Sequence, residues 1–207
     1  IKTFYPGHAS QMMHAFWGVG QMSFVKHAIF VNDDAPALTD HDGIIKYILN
    51  RIDIDDMLVS KGVIDALDHT SPKFAVGGKL GLDCTGDEIT ELGIILLKDN
   101  ELLERMKAIT SEVKDLKQYF TDTKNPIAVI SVEKTRNQKY LFEDLKPLFE
   151  HIKILIIVEN NKNDVNNSYM LVWRVANNID SNRDLFIDGH TMCLDATNKN
   201  AFDNFNR

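Results

Sequence analysis

Cysteine and long apolar runs are both scarce in this sequence. Only Cys84 and Cys193 occur among its 207 residues, which excludes a disulfide framework and a zinc site built from paired cysteines. The longest purely apolar run covers residues 154–158, whereas roughly 20 such residues are needed to span a bilayer. No signal-peptide pattern opens the chain. We therefore predict a cytoplasmic protein whose association with a membrane is at most peripheral.

Basic residues are also too few for a nucleic-acid-binding surface. Lysine and arginine number 23 against 30 acidic residues, and the formal net charge is -7. Because nucleic-acid binding depends on a clustered basic face that displaces counterions, we expect no nucleic-acid partner. The hydrophobic share of 44% is typical of a globular chain that buries one good-sized core or two small ones.

Short β-branched or aromatic segments alternate with helical periodicity along the chain. The predicted strands are residues 1–5, His27–Val31, 57–60, Ile127–Val132, 154–158 and 184–187. The predicted helices are residues 11–22, 39–52 and 100–120, and the second begins with the capping pattern Thr39-x-x-Asp42. This alternation indicates parallel strands joined by crossover helices. We predict a layered α/β sheet.

Two stretches of the sequence align with each other without a gap. Residues 24–62 match residues 151–189, and Leu82-Asp83-Cys84-Thr85 then matches Leu194-Asp195-Ala196-Thr197. The predicted elements follow the same order in both stretches, although any two βαβ units could align this well. We favour a degenerate internal repeat, and predict an α/β domain over residues 1–98, a connecting helix over 99–125 and the second repeat over 126–207.

One glycine-rich segment invites a phosphate-loop interpretation. Gly77-Gly78-Lys79-Leu80-Gly81 lacks the hydroxyl residue after the lysine, and Phe74 occupies the first glycine position of such a loop. We favour a tight turn. Asp33 and Asp34 directly follow a strand, where carboxylates often meet a ligand, but we prefer a loop that caps the next helix.

The remaining reactive side chains form no recognisable catalytic or metal-binding pattern. Cys84 has no evident base partner, so we do not assign it as a nucleophile. Several histidines lack a metal-ligand spacing, and we expect surface or capping roles for most of them: His8, His14, His27, His41 and His69.

Several segments occur together in a characteristic order. They are Tyr5-Pro6-Gly7-His8-Ala9, Met12-Met13-x-x-Phe16-Trp17, Ile29-Phe30-Val31-Asn32-Asp33-Asp34, Asn50-Arg51-Ile52-Asp53, Ile64-Asp65-x-Leu67-Asp68 and Gly77-Gly78-Lys79-Leu80-Gly81-Leu82-Asp83-Cys84-Thr85. This ordered set resembles the end of the UbiD-family decarboxylases. The resemblance covers about residues 1–90, and the longer tail is similar to UbiD-like decarboxylases of menaquinone biosynthesis. Since Ile1 also looks like part of a strand, we expect a larger protein.

The resemblance implies a decarboxylase of an aromatic acid in ubiquinone or menaquinone biosynthesis. Its implied cofactors are prenylated FMN, Mn²⁺ and K⁺, and its implied partners are an upstream flavin-binding domain and a second copy of the protein, as a dimer or higher oligomer. No catalytic residue and no metal ligand is carried over to this chain. A basic residue near the flavin phosphate is implied between residues 21 and 26. Gln21 stands where one register places that residue, and Lys26 could substitute for it.

The resemblance therefore gives this part of the protein a supporting role. It would help to form the dimer and close the active site, while the catalytic residues would lie upstream. The composition also fits a non-catalytic α/β binding or assembly module. That alternative stays open on the sequence alone.

Overall fold

The computed structural model describes residues 1–161 and 163–205, and the chain divides into two compact units. Unit 1 contains Ile1–Leu92 together with Thr123–Asn125 and Asp180–Arg183. Unit 2 contains Gly93–Asp122, Pro126–Ile179 and the residues from 184 onwards. These units combine segments that are far apart in the sequence, so they do not test the sequential domain boundaries predicted at residues 98 and 125, which stay a prediction.

Unit 1 is built around a three-stranded sheet of order β1-β3-β2. Its elements are helix α1 (His8–Trp17), a 3₁₀ helix (Gly20–Phe24), β1 (His27–Val31), α2 (His41–Leu49), β2 (Leu58–Val63) and β3 (Val76–Cys84). Strand β1 is parallel to β3, and β2 is antiparallel to it. Both helices bury one face, which explains their apolar periodicity: Ala9 and Met13 in α1, Ile44 and Leu49 in α2.

Unit 2 is built around a five-stranded mixed sheet of order β4-β5-β6-β8-β7. Its elements are α3 (Asp99–Ile109), β4 (Val113–Tyr119), β5 (Ile127–Val132), α4 (Gln138–Asp144), a 3₁₀ helix (Lys146–His151), β6 (Ile154–Glu159), α5 (Ser168–Asn178), α6 (Ser181–Asp184, whose first three residues belong to unit 1), β7 (Leu185–Asp188), β8 (Thr191–Asp195) and a 3₁₀ turn (Ala201–Asp203). Strands β5, β6 and β8 are parallel, and the two outer strands are antiparallel to their neighbours.

Alternate residues of the central strands in unit 2 enter two separate apolar clusters. Ile130 and Leu155 pack with side chains of α3 and α4, whereas Val129 and Val158 pack with Leu171 of α5. Because successive strand residues point to opposite faces, the sheet has helices on both sides. The predicted layered α/β class is confirmed.

Several details of the prediction are wrong. Residues 1–5 form no strand. Two bonds tie them to the chain at the end of β1: the Ile1 ammonium donates to Val31 O, and the Thr3 hydroxyl donates to Asn32 Oδ1. Strands β2 and β7 are antiparallel, not parallel. The first predicted helix runs from His8 to Trp17 and then tightens into the 3₁₀ helix.

The other two predicted helices also need correction. Helix α2 is capped by Asp40, whose carboxylate accepts the Gly43 N–H at 3.0 Å, and not by the Thr39-x-x-Asp42 pattern. The predicted helix over residues 100–120 ends at Ile109, because Thr110 is extended and strand β4 follows it. Within the two described stretches of chain, no helix combines the length and apolar character needed to cross a membrane.

Candidate functional site

Of the two residues predicted to approach a cofactor, one lies in the 3₁₀ helix of unit 1 and the other lies just after it. Gln21 is exposed on that helix, and Lys26 follows it directly before strand β1. The Ser23 hydroxyl donates to Gly20 O at 2.6 Å and closes the helical turn. The chain is extended at Val25. This geometry brings Lys26 to the end of the sheet while Gln21 stays at the surface.

Lys26 is held by a loop that the sequence did not connect with it. Its Nζ donates to Asp68 Oδ2 at 2.6 Å and to Thr70 Oγ1 at 3.0 Å, and the side chains of Lys26 and Asp68 are each 12% exposed. Burial raises the pKa of Asp68. The Lys26 ammonium and the N–H groups of Ser71 and Thr70 lower it by more, so the pKa of Asp68 lies below its ordinary value. The ammonium is thus fixed close to the surface.

A second lysine lies beneath this segment. Lys79, in strand β3, is only 2% exposed, and its Nζ donates to Ser23 O at 2.5 Å and Val25 O at 2.8 Å. Burial, followed by the positive charge of Lys26, lowers the pKa of Lys79 to about 8. A Cβ on Gly62 would lie 3.3 Å from Lys79 Cε, so this glycine leaves room for the side chain. The two ammonium groups belong to one electrostatic cluster.

The glycine-rich segment around Lys79 is a strand, so the predicted tight turn is wrong. A Cβ on Gly78 would come within 2.6 Å of Ser181 Oγ, and one on Gly81 within 2.5 Å of Met13 Sδ. Glycine in a strand commonly permits such close approach of other chain segments. The Gly78 N–H also donates to Asp180 Oδ2 at 2.9 Å. Packing inside unit 1 therefore accounts for these glycines.

His27 is the next residue after Lys26 and is held neutral. Burial and the charge of Lys26 outweigh the effects of Asp68 and Asp180, and lower its pKa to about 4. Its Nε2 is buried, and within the described residues it has no hydrogen-bond partner. A neutral imidazole of such low pKa is a weak base, so His27 is unsuited to general-base chemistry at neutral pH.

Neither cysteine has the character of a nucleophile. Burial, with a contribution from Asp83, raises the pKa of Cys84 to about 12. Burial and Asp195 raise the pKa of Cys193 well above its ordinary value. The reactive form of cysteine is the thiolate. Both side chains therefore serve the core as small apolar groups.

Asp34 supports the following helix, although it does not cap it. Its Oδ1 accepts a hydrogen bond from the Tyr47 hydroxyl of α2 at 3.2 Å, whereas Asp40 supplies the cap. In the part of the chain that the structure describes, no group of three or more histidine, cysteine and acidic side chains is arranged to hold a metal ion.

Unit 2 has its own buried charges, near the carboxyl ends of its parallel strands. Lys134 Nζ donates to Asp203 Oδ2 at 2.6 Å and to Thr197 Oγ1 at 2.9 Å. Lys199 Nζ lies 2.9 Å from Asp195 Oδ2 and 3.2 Å from Asp184 Oδ1. All five of these charged side chains are at most 3% exposed. These charges therefore pair with one another inside unit 2.

Sequence analysis missed the contacts that define both clusters. Asp68 is 42 positions from Lys26, and Asp203 is 69 positions from Lys134. No local motif links residues so far apart. The one available signal was Lys79 itself, a charged residue inside a segment of glycines and apolar residues.

Comparison with known proteins identifies the family. Residues 1–84 and 94–203 match the family described as the 3-octaprenyl-4-hydroxybenzoate carboxy-lyase C-terminal domain, the UbiD C-terminal domain. Because the match covers nearly the whole chain, the chain belongs to this family. The predicted resemblance to the carboxy-terminal part of UbiD-family enzymes is confirmed.

Relatives extend well beyond the matched region. Uncharacterized proteins from two strains of Helicobacter pylori are 52% identical over 206 residues, which is 98% of this chain and 33% of each relative. The chain thus spans about a third of the length of these relatives.

Solved structures of UbiD-class enzymes align with part of the chain. An evolved dimeric form of the UbiD-class enzyme HmfF from Pelotomaculum thermopropionicum, in complex with prFMN, is 19% identical, with a TM-score of 0.44 over 71% of this chain and 38% of its own. The vanillic acid decarboxylase of Sedimentibacter hydroxybenzoicus is 14% identical, with a TM-score of 0.40 over 67% of this chain and 37% of its own.

Proposed function

We propose that this chain is the carboxy-terminal part of a UbiD-type decarboxylase that acts on an aromatic acid in quinone biosynthesis, of the ubiquinone or menaquinone route. The observation that carries the proposal is the family match over residues 1–84 and 94–203. In the longer protein, the catalytic residues lie upstream of these residues. The whole protein works in the cytoplasm.

The cofactor of the whole enzyme is prenylated FMN, bound with Mn²⁺ and K⁺. The flavin supplies the electron sink for the carbanion that loss of carbon dioxide creates. Lys26 and Gln21 are the residues of this chain that approach the flavin phosphate. The fit is supported by the Lys26 ammonium near the surface, with the Lys79 ammonium beneath it. A phosphate would take its charge-assisted hydrogen bond from the Lys26 ammonium.

The apolar surface around α1 supports the assembly role. Met12, Val19, Met22 and Phe24 are 38%, 62%, 47% and 42% exposed. Methionine and aromatic residues are enriched at protein interfaces. This surface contributes to the dimer and helps to close the active site of the longer protein, where exclusion of water strengthens the electrostatic interactions with substrate.

The decisive experiment is an assay of the full-length protein loaded with prenylated FMN and Mn²⁺. We expect release of carbon dioxide from a hydroxybenzoate-type acid, and a dimer in gel filtration. Residues 1–207 alone are expected to form a dimer but to bind no flavin and to release no carbon dioxide. A full-length protein without a flavin-binding domain would instead support an assembly module without catalytic activity.

The phosphate contact has a matched test within the chain. Lys26→Met in the full-length protein should weaken binding of FMN by about ten-fold or more, the value of one charge-assisted hydrogen bond, and leave riboflavin binding unchanged because riboflavin has no phosphate. Lys153→Met is the control, since Lys153 precedes β6 as Lys26 precedes β1. Equal FMN affinity of the Lys26→Met variant and the wild type would contradict the contact.

A further inference from the structure

Lys79 has an unusual environment for a buried charge. Its hydrogen-bond partners in the described residues are two main-chain carbonyls, and no carboxylate neutralises it. Taking an ammonium out of water is costly unless it is compensated. An apolar side chain of similar length would fill the same space without this cost. Packing alone therefore does not explain why a lysine occupies position 79.

Unit 2 provides an internal comparison at the equivalent position. Lys26 O accepts the Leu80 N–H at 2.9 Å, and Lys153 O accepts the Met192 N–H at the same distance. Strand β3 therefore meets the chain before β1 as β8 meets the chain before β6. By this register Thr191 is the counterpart of Lys79. Its hydroxyl donates to Ile152 O at 2.7 Å.

The comparison separates two tasks that Lys79 performs. Ile152 immediately precedes Lys153, just as Val25 immediately precedes Lys26, so the bond to this carbonyl is made in both units. A short neutral threonine is sufficient for it in unit 2. The bond to Ser23 O, at 2.5 Å, needs the longer side chain of Lys79. It fixes the chain inside the 3₁₀ helix that carries Gln21.

We propose that Lys79 is a positioning residue, which anchors the segment from Gln21 to Lys26 so that Lys26 presents its ammonium to the phosphate of the flavin. The proposal rests on the function proposed above. Lys79 itself does not touch the cofactor, because its side chain is fully buried. It acts through the carbonyls of Ser23 and Val25.

The test measures the affinity of the full-length protein for FMN and for riboflavin. Lys79→Met and Lys79→Thr should each weaken FMN binding by about ten-fold and leave riboflavin binding within about two-fold of the wild type. Lys79→Thr installs the side chain that unit 2 uses, which keeps the bond to Val25 O plausible and the fold intact. Thr191→Val is the control, and both of its affinities should equal those of the wild type.

A double variant distinguishes positioning from a merely structural role. If Lys79 acts through Lys26, the Lys26→Met, Lys79→Met protein should bind FMN no more weakly than Lys26→Met alone. Both substitutions then remove the same contact between Lys26 and the phosphate. Losses that add, or equal losses for FMN and riboflavin, would overturn the proposal. Should Lys79→Met fail to fold, Lys79→Thr and Gly62→Ala, which crowds Lys79 Cε, provide the same comparison.

The results also separate this inference from the phosphate contact on which it rests. If Lys26→Met leaves FMN binding unchanged, the phosphate contact fails and the positioning role fails with it. If Lys26→Met weakens FMN binding while both Lys79 variants retain wild-type affinity, the contact stands and only the positioning role is wrong.

Discussion

Unit 1 and unit 2 bury lysine side chains in opposite ways. Lys79 in unit 1 donates to two main-chain carbonyls, whereas Lys134 and Lys199 in unit 2 pair with buried carboxylates. In unit 1 burial, followed by the positive charge of Lys26, lowers the pKa of Lys79 to about 8. The comparison teaches that a buried ammonium can be neutralised by carboxylates or held by main-chain carbonyls alone. Removing the lysine should have different consequences in the two cases.

The two units share a pattern of strands, although they compensate their buried lysines differently. The order β1-β3-β2 in unit 1 corresponds to β6-β8-β7 in unit 2, with the same parallel and antiparallel pairs. After the last parallel strand, Asp83 and Asp195 each accept the N–H of a threonine two residues later at 2.9 Å. These shared features agree with an internal repeat, whose origin by duplication stays a prediction.

The largest effect is expected for Lys134→Met. Without the lysine, the buried Asp203 carboxylate loses its cation, and breaking such a pair lowers the free energy of unfolding by about 3–5 kcal/mol. Lys79→Met strands no buried carboxylate but removes the donor to the Ser23 and Val25 carbonyls, so its unfolding free energy should fall by a smaller amount, about 1–2 kcal/mol. Unit 2 contains Trp173 and unit 1 contains Trp17, so urea unfolding followed by fluorescence in single-tryptophan backgrounds reports each unit.

Lys139→Met is the control for this pair of variants, because Lys139 is exposed on α4 and should tolerate the change. Similar losses for Lys79→Met and Lys134→Met would show that the partner of a buried lysine does not matter here.

The next largest effect concerns acid stability, and it should be confined to unit 1. His27 has a folded-state pKa of about 4, below the ordinary value near 6.5, so below pH 6.5 the unfolded chain binds a proton that the folded chain does not. The stabilisation is present above pH 6.5 and falls as the pH drops to 4, by about 3 kcal/mol in total. The counterpart of His27 in unit 2 is Ile154, which does not titrate.

The measurement is the unfolding free energy of the wild type relative to His27→Leu at several pH values. Leucine should remove the decline because it does not titrate. It should also be tolerated, because no described residue loses a hydrogen bond to Nε2 of His27. A difference between the two proteins that stays constant from pH 7 to pH 4 would disprove the assignment.

A smaller effect is expected at the two equivalent aspartates. Asp180→Ala removes the acceptor of the buried Gly78 N–H, which should cost unit 1 about 2–3 kcal/mol. Asp53→Ala should cost about 1 kcal/mol or less, because Asp53 is exposed and its side chain accepts the Asp55 N–H of its own turn, at 3.0 Å. Thermal unfolding of both variants checks the difference. Comparable losses would mean that the bond to Gly78 contributes little.

The smallest effect is expected for a single methyl group in strand β3. Gly78→Ala would place Cβ within 2.7 Å of Asn182 N, so the chain must shift, at a cost of about 1–3 kcal/mol. Gly86→Ala is the control, because its Cβ meets nothing within 4 Å. Thermal unfolding again distinguishes them. A Gly78→Ala protein as stable as wild type would show that residues 180–183 move aside at little cost in free energy.

Sequence patterns identified the strands that are rich in β-branched residues, and they failed where another interaction decides the structure. His27–Val31 and Ile127–Val132 were predicted with their observed bounds. Strand β3 was missed because glycines, which disfavour strands, are required there by segments that pack against it. Strand β4 was assigned to the preceding helix, because Val113 and Leu116 continued its apolar spacing, but the helix ends at Ile109 and Thr110 is extended.

The candidate site was predictable only in part. Lys26 was named from the family resemblance, but its bonds to Asp68 and Thr70 depend on a loop more than 40 positions away. The burial of Lys79 was equally hidden, since a lysine beside glycines suggests an exposed turn. Tertiary contacts of this kind follow from the packing of whole elements, which local patterns do not encode.

Unit 1 is assembled from three separate segments of the chain, and this affects how it folds during translation. Asn125 Nδ2 donates to Leu49 O and Ile52 O, each at 2.9 Å, and Asp180 accepts the Gly78 N–H. Translation delivers these partners long after strand β3 has left the ribosome. The amino-terminal unit therefore cannot complete its hydrogen bonding until about residue 183 of 207 has emerged. A nascent chain arrested earlier would expose an incomplete unit to chaperones and proteases.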